Sequence, residues 1–297
     1  MMRYIVLLVT LAVGLAGCGQ TQAVREEKTV NAILKLGGQV TRNEMLPGRP
    51  VVAVDMPNNI VTDSDLKILN EIEGLQSLVL ESGKITDAGL KELKELKALQ
   101  VLFLRGTQIT DAGLKNLKEL TSLHTLALDN NKITDAGLKE LKELKELKVL
   151  QVTAYNNSKI TDAGLKELKG LQELGLWGTQ ITDAGLKNLK ELKGLKSLSL
   201  SDAPITNAGL KELKEFKNLR TLYLTGTKIT GAGLKDLKEV RGLERLDLSH
   251  TQITDAALKD LSELKGLQYL GLYGTKITAA GLKELKQALP TTSISGP

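Results

Sequence analysis

The sequence predicts an α/β solenoid, a parallel concave β-sheet backed by short convex helices and built from about ten repeats. Three observations carry that expectation. The phrase Ile85-Thr86-Asp87-Ala88-Gly89-Leu90 returns at Ile109, Ile133, Ile160, Ile181, Ile205, Ile229, Ile253 and Ile277, after a degenerate first copy at Val61-Thr62-Asp63-Ser64-Asp65-Leu66. The starts are 24, 24, 24, 27, 21, 24, 24, 24 and 24 residues apart, and the odd pair sums to 48, so the register is kept. Fixed periods in this range mark folds in which each unit contacts only its neighbours. Aromatic residues make up only 3% of the chain, so the core must be a regular stack of aliphatic side chains.

Each unit divides into a strand, a loop and a helix. In the eleven places from Leu75 to Ile85, apolar residues fall at the first, fourth, sixth and eleventh, and the alternation around Leu78-Val79-Leu80 is strand periodicity. Thr86 and Asp87 supply capping side chains before Leu90, Leu93 and Leu96, whose spacing of three puts them on one side of a short helix.

The N-terminal region reads differently. Residues 1–17 place Arg3 before an apolar run from Ile5 to Val13 and small residues up to Gly17, the pattern of a secretory signal. The run is shorter than the roughly 20 residues that a membrane-crossing helix needs. Leu15-Ala16-Gly17-Cys18 resembles a bacterial lipobox, which implies lipidation of Cys18 and a chain tethered to a membrane of the cell envelope, outside the cytoplasm. Gly19 rather than Asp after Cys18 resembles lipoproteins forwarded to an outer membrane, where the cell has one. Residues 18–23 are then a short tether and 24–50 an N-terminal cap. In that cap Val30, Ile33 and Leu34 share a helix face stopped by Gly37-Gly38, and Gln39 to Arg42 add an edge strand. The solenoid occupies 51–297, with a C-terminal cap from about 289, where Leu289-Pro290 and Ile294 suggest a last truncated strand. The one Cys cannot form a disulfide within the chain.

The unit pattern resembles the leucine-rich repeat, specifically the variants with a helical convex side seen in ribonuclease-inhibitor-like and F-box-associated repeats and in many bacterial secreted proteins. The resemblance implies a horseshoe with the parallel sheet inside and the helices outside. At the ninth place, often Asn or Cys in that family, this chain mostly carries Thr (Thr107, Thr179, Thr227, Thr251, Thr275), with Asn59 and Asn131 as exceptions.

Several chemistries are excluded by what the repeats carry. The convex ladder from Lys91 and Lys115 to Lys283 is interleaved with Glu92, Glu140, Glu167, Glu212 and Glu284, whereas a nucleic-acid groove needs a one-signed stripe with stacking rings. No nucleic-acid partner is expected. The series Asp87, Asp111, Asp135, Asp162, Asp183 and Asp255 supplies one carboxylate per unit, too few for calcium, and capping accounts for it. His124 and His250, the only histidines, lie five repeats apart, so neither a His-based metal site nor a Ser-His relay is formed. The sequence implies no catalytic residue, no cofactor, no metal and no enzyme.

The informative departures lie on the strands. The exposed third, fifth and seventh places carry Phe103, Arg105, Asp129, Trp177, Tyr223, Arg245, Asp247, Tyr269 and Tyr273. Folding does not require large rings there, and aromatic and Arg side chains dominate binding hot spots. The single long loop, Thr153 to Lys159, adds Tyr155 at a rim beside Trp177. These ten residues are the expected contacts for a protein or peptide partner. A glycan stacked on Trp177, Tyr223, Tyr269 and Tyr273 is the alternative ligand.

Overall fold

The computed structural model describes residues 19–57, 59–129, 132–154 and 159–296. Residues 1–17, read above as a signal, Cys18, Asn131 and the loop residues 155–158, Tyr155 among them, lie outside the described residues.

Among the described residues twelve strands form one open sheet in sequence order. They are β1 Gln39–Arg42, β2 Val51–Met56, β3 Ser77–Glu81, β4 Val101–Arg105, β5 Thr125–Asp129, β6 Val149–Thr153, β7 Glu173–Trp177, β8 Ser197–Ser199, β9 Thr221–Tyr223, β10 Arg245–Asp247, β11 Tyr269–Gly271 and β12 Ser293–Ser295. β1 pairs antiparallel with β2, and every later pairing is parallel. Among these parallel pairs the register is uniform: Leu78, Leu102, Leu126, Leu150 and Leu174 stand opposite one another in successive strands, as do Val79, Phe103, Ala127, Gln151 and Gly175. The fourth and sixth places are buried and the third, fifth and seventh face out, so a one-residue slip would bury the polar row. With strands about 4.8 Å apart, eleven spacings make an outer row of roughly 53 Å.

Short helices back the sheet. α1 (Gly19–Lys35) belongs to the cap; α2 (Asp87–Glu92), α3 (Asp111–Leu114), α4 (Asp135–Glu140), α5 (Asp183–Asn188), α6 (Asn207–Leu210), α7 (Leu258–Ser262) and α8 (Ala279–Ala288) follow in the repeats. The remaining convex segments are 3₁₀ turns, such as Asp162–Glu167 and Gly231–Glu239. Leu90, Leu93 and Leu96 are buried, as are their counterparts up to the last repeat, where Leu282 is only partly buried, and Phe216 fills a Leu position in the stack.

The repeated phrase has a division of labour that its sequence concealed. The cap is the threonine alone: Thr86 sits in extended backbone and its Oγ1 accepts from the Ala88 N–H. The aspartate instead reaches across to the next repeat. Asp87 Oδ1 accepts from the Thr110 N–H at 2.8 Å and Oδ2 from the Thr110 hydroxyl at 2.7 Å. The same pair of bonds links Asp63 to Thr86, Asp111 to Thr134, Asp135 to Thr161, Asp162 to Thr182, Asp183 to Thr206 and Asp255 to Thr278. The expectation that capping accounts for the Asp series is therefore corrected: the carboxylate satisfies a backbone donor of the neighbouring unit, a stacking bond between units. The glycine of the phrase makes room for it, since a Cβ on Gly113 would collide with Asp87 Oδ1 and one on Gly137 with Asp111 Oδ1.

The ends are closed by different means. Gly19 already lies in α1, so residues 19–23 of the segment read as a tether belong to the cap helix. Val30 and Ile33 pack inward, but Leu34, placed with them by periodicity, is half exposed. Arg42 ties helix to hairpin, pairing with Glu26 at 2.9 Å and Glu27 at 2.6 Å, while Glu26 also accepts from the Val51 N–H. At the far end Leu289 is buried, and the Thr292 hydroxyl donates to the Leu267 carbonyl before β12 pairs with β11. In the shortened unit the chain leaves its turn at Leu168 in extended backbone and reverses at Gly170, φ 72°.

Candidate functional site

At the ninth place, Thr179, Thr227, Thr251 and Thr275 are held by their own strands, each hydroxyl donating to the carbonyl three residues back. Where the ninth residue is Gly83, Ser82 takes over the buried position and donates to the Val61 carbonyl at 2.7 Å. The eighth place turns the chain through left-handed backbone: Gly106, Gly178, Gly226 and Gly274 have φ between 59° and 69°. Two repeats accept this conformation without glycine, Asp202 at φ 57° and His250 at φ 56°. Non-glycine residues there are uncommon and carry strain.

Both exceptions hold a ring on the concave side. The Asp202 carboxylate accepts from the Trp177 indole N–H. His250 meets the Tyr273 ring edge to face, with centroids 5.3 Å apart. The glycines after them give way, because a Cβ on Gly226 would strike Asp202 Oδ1 and one on Gly274 the His250 ring. Asp202 is neither large nor aromatic and does not stand out by residue type. Its signal was the break in the glycine pattern at the eighth place.

The residues expected to bind fall into three groups along the face. On β4 and β5 the Arg105 guanidinium lies 5.6 Å from the centre of the Phe103 ring and 3.7 Å from Asp129. On β7 and β9, Trp177 and Tyr223 flank a depression of about 230 Å³ lined also by Gln151, Thr153, Glu173, Gly175, Ser197 and Ser199. On β10 and β11 the Arg245 guanidinium sits 4.9 Å above Tyr269, whose hydroxyl shares a 2.9 Å hydrogen bond with Ser295. Asp247 Oδ1 accepts from the Ser249 N–H. Three strand spacings, about 14 Å, separate Arg105 on β4 from Trp177 on β7, and Trp177 from Arg245 on β10. Trp177 and Tyr273 are the exposed rings, at 43% and 62%; Phe103, Tyr223 and Tyr269 are partly covered.

The depression is made by small residues, which do not stand out in the sequence as rings do. Gly175 lacks a side chain in the middle of a strand, and Ser197 and Ser199 leave the neighbouring strand low. A Cβ on Gly175 would meet only ordinary contacts, Gln151 at 3.6 to 3.8 Å, so the backbone does not require glycine here. Trp177, fixed through Asp202, forms one wall.

The face carries its own charge. Its third, fifth, seventh and eighth places hold Asp55, Glu81, Asp129, Glu173, Asp202 and Asp247 against Arg105 and Arg245, and no lysine among the described residues. That is a balance of −4 on a chain whose overall charge is +5. Lysines start at the rim, with Lys148 and Lys196 at the second place. Asp55 is the least comfortable of these acids: burial pushes its carboxyl above the usual range, Arg105 opposes the rise and Glu81 adds to it. Its buried Oδ1 has no hydrogen-bond partner. Among the described residues no group of three or more His, Cys, Asp or Glu side chains is placed to hold a metal ion.

Comparison with known proteins agrees with this geometry. Models described as leucine-rich repeats match residues 97–140 (two copies), 195–214 and 217–277. No curated protein matches the sequence. Among solved structures, an internalin (inlF) from Listeria monocytogenes str. 4b F2365 superposes with a TM-score of 0.58 at 20% identity, covering 90% of this chain and 87% of that one. A TDR receptor superposes at 0.51 and 18% identity over 80% of this chain and 46% of the receptor chain, so this chain spans about half its length. The fold is that of a leucine-rich-repeat solenoid, with an open sheet and a helical back.

Proposed function

We propose that the chain is a binding scaffold, anchored to a membrane outside the cytoplasm through Cys18, that recognises a protein or peptide partner on its concave sheet. The observation that carries the binding reading is the pair of strained residues, Asp202 and His250, each holding an exposed ring toward the concave side. Neither contact adds to the core. Strained backbone of this kind costs of order 1–3 kcal/mol and concentrates at binding and active sites. A face of roughly 53 Å suits a folded domain or an extended segment.

The anchor rests on the sequence around Cys18. Among the described residues no helix is long and apolar enough to cross a membrane. Replacing Cys18 by Ala should abolish acyl labelling and release the protein from the membrane fraction; unchanged labelling would contradict the anchor.

The ligand class is tested by comparing wild type, a Trp177→Ala/Tyr223→Ala variant and the convex control Lys139→Ala against envelope proteins and a glycan array. A protein retained by wild type and control but lost from the ring variant supports the reading. Retention of oligosaccharides with the same loss would replace it by glycan binding, and equal retention by all three would remove the concave site altogether.

A further inference from the structure

We infer that the depression over Gly175 is a seat for one basic side chain, Lys or Arg, presented by the partner. This rests on the concave-face reading and names the chemistry recognised there. Four observations converge on it. The first is size: about 230 Å³ falls below the roughly 300–1,000 Å³ of small-molecule pockets, which fits one long side chain rather than a cofactor. The second is the wall material. The depression lies between two rings, Trp177 and Tyr223, and aromatic faces attract ammonium and guanidinium groups within about 6 Å.

The third is charge. Glu173 lines the depression itself, Asp202 is bonded to the Trp177 indole, and Asp247 pairs with Tyr223 in the sheet register. The whole face has a balance of −4 and no lysine, although lysine ladders run along the back of every repeat. A neutral or acidic ligand would gain nothing from that segregation, whereas a basic segment is attracted and oriented by it. The fourth is precedent within the molecule. The two guanidiniums that the face does possess are each laid on a ring, Arg105 on Phe103 beside Asp129, and Arg245 on Tyr269. The central depression offers the same combination of ring and carboxylate with open space above Gly175.

Arg105 on β4, Trp177 on β7 and Arg245 on β10 stand three strands apart in turn, about 14 Å each. An extended segment running across the strands covers about 3.3 Å per residue, so consecutive groups are met roughly four residues apart. The depression over Gly175 belongs to the central group, so the basic residue goes there.

The single Trp of the chain makes the experiment direct, because all indole emission reports on Trp177. Nine-residue Gly/Ser peptides with Lys, Arg, Nε-acetyl-lysine or Glu at the centre are titrated at low salt into wild type, Gly175→Val and Glu173→Gln. The Lys and Arg peptides should change Trp177 emission saturably, with acetyl-lysine and Glu at least tenfold weaker. Gly175→Val, which fills the depression with a strand-forming residue, should abolish the response, and Glu173→Gln should weaken it about threefold. Circular dichroism and unfolding midpoints confirm that both variants are folded.

Equal response to Lys and acetyl-lysine, no response to any peptide, or a Lys response untouched by Gly175→Val would overturn the inference. A response shared by all four peptides yet lost in Gly175→Val would overturn the basic occupant while leaving concave binding intact. Loss of concave binding itself is read separately, by the ring variants and the convex control.

Discussion

Ala257 carries its Cβ 3.0 Å from the point where a Cβ on Gly231 would stand. The two positions are linked. Gly231 takes the place of the aspartate in its phrase, and Ala257 takes the place of the glycine in the next. Elsewhere a carboxylate or amide oxygen fills that gap: Asn207, the other departure among the facing pairs, accepts from the Thr230 N–H, gives its amide to the Thr230 hydroxyl and stands against Gly233. One missing oxygen and one added methyl therefore compensate each other across the repeat boundary.

A double-mutant cycle measures that exchange. Gly231→Asp alone should destabilise, because its carboxylate meets the Ala257 methyl, and Ala257→Gly alone should destabilise by leaving a gap. Together they should rebuild the Asp–Thr254 bonds, with a coupling of about 1–3 kcal/mol in urea unfolding. Additive effects would mean that the two positions are unrelated.

The interior of the ladder gives a second expectation. Asp111→Ala should cost about 1–3 kcal/mol by leaving the Thr134 N–H and hydroxyl without their acceptor. Asp111→Asn should cost much less, since Asn207 performs the same task in its own repeat. Gly113→Ala should likewise destabilise, while Gly74→Ala, with open space beyond its Cα, should be nearly neutral.

Two aspartates should respond to pH with opposite sign. The side-chain and then the backbone hydrogen bond from Thr278 hold the Asp255 carboxyl below its usual 3.8. Its contribution is therefore complete above pH 3.8 and lost as pH falls through the lower folded value. Asp255→Asn should flatten the acid limb of the stability curve. Burial holds Asp55 above 3.8, so its ionised form weakens the fold as pH rises through that value and beyond. Asp55→Asn should raise stability at pH 7 and lose the advantage below pH 3.8. Unfolding midpoints between pH 3 and 7 decide both.

Asp202 should be worth more to the ring than to the fold. Asp202→Gly removes the indole acceptor and relieves the left-handed backbone, so stability should hold or rise while Trp177 emission and side-chain order change. A large loss of stability would show that Asp202 serves the solenoid instead.

The repeat made the scaffold readable. Strand alternation in Leu75 to Ile85 placed the sheet and its register, and the Leu90-Leu93-Leu96 spacing placed the convex turns. Contacts between units stayed hidden, because a residue such as Asp87 looks like a local cap until the next repeat is stacked on it. Periodicity likewise put Leu34 on the inner side of α1, where in fact Val30 and Ile33 are buried and Leu34 stays half exposed. At the site, rings were conspicuous by type, while the absences that shape the depression, Gly175 and Ser199, look like ordinary small residues in one dimension.

The most direct test of concave recognition is site-specific photo-cross-linking in cells that make the protein. A benzophenone side chain replaces Tyr223 on the sheet, Glu173 beside the depression, or Lys139 on the back. Concave recognition predicts one discrete adduct from positions 223 and 173, competed away by excess wild-type protein but not by Trp177→Ala, and none from 139. The same adduct from 139, or adducts indifferent to the competitor, would contradict it.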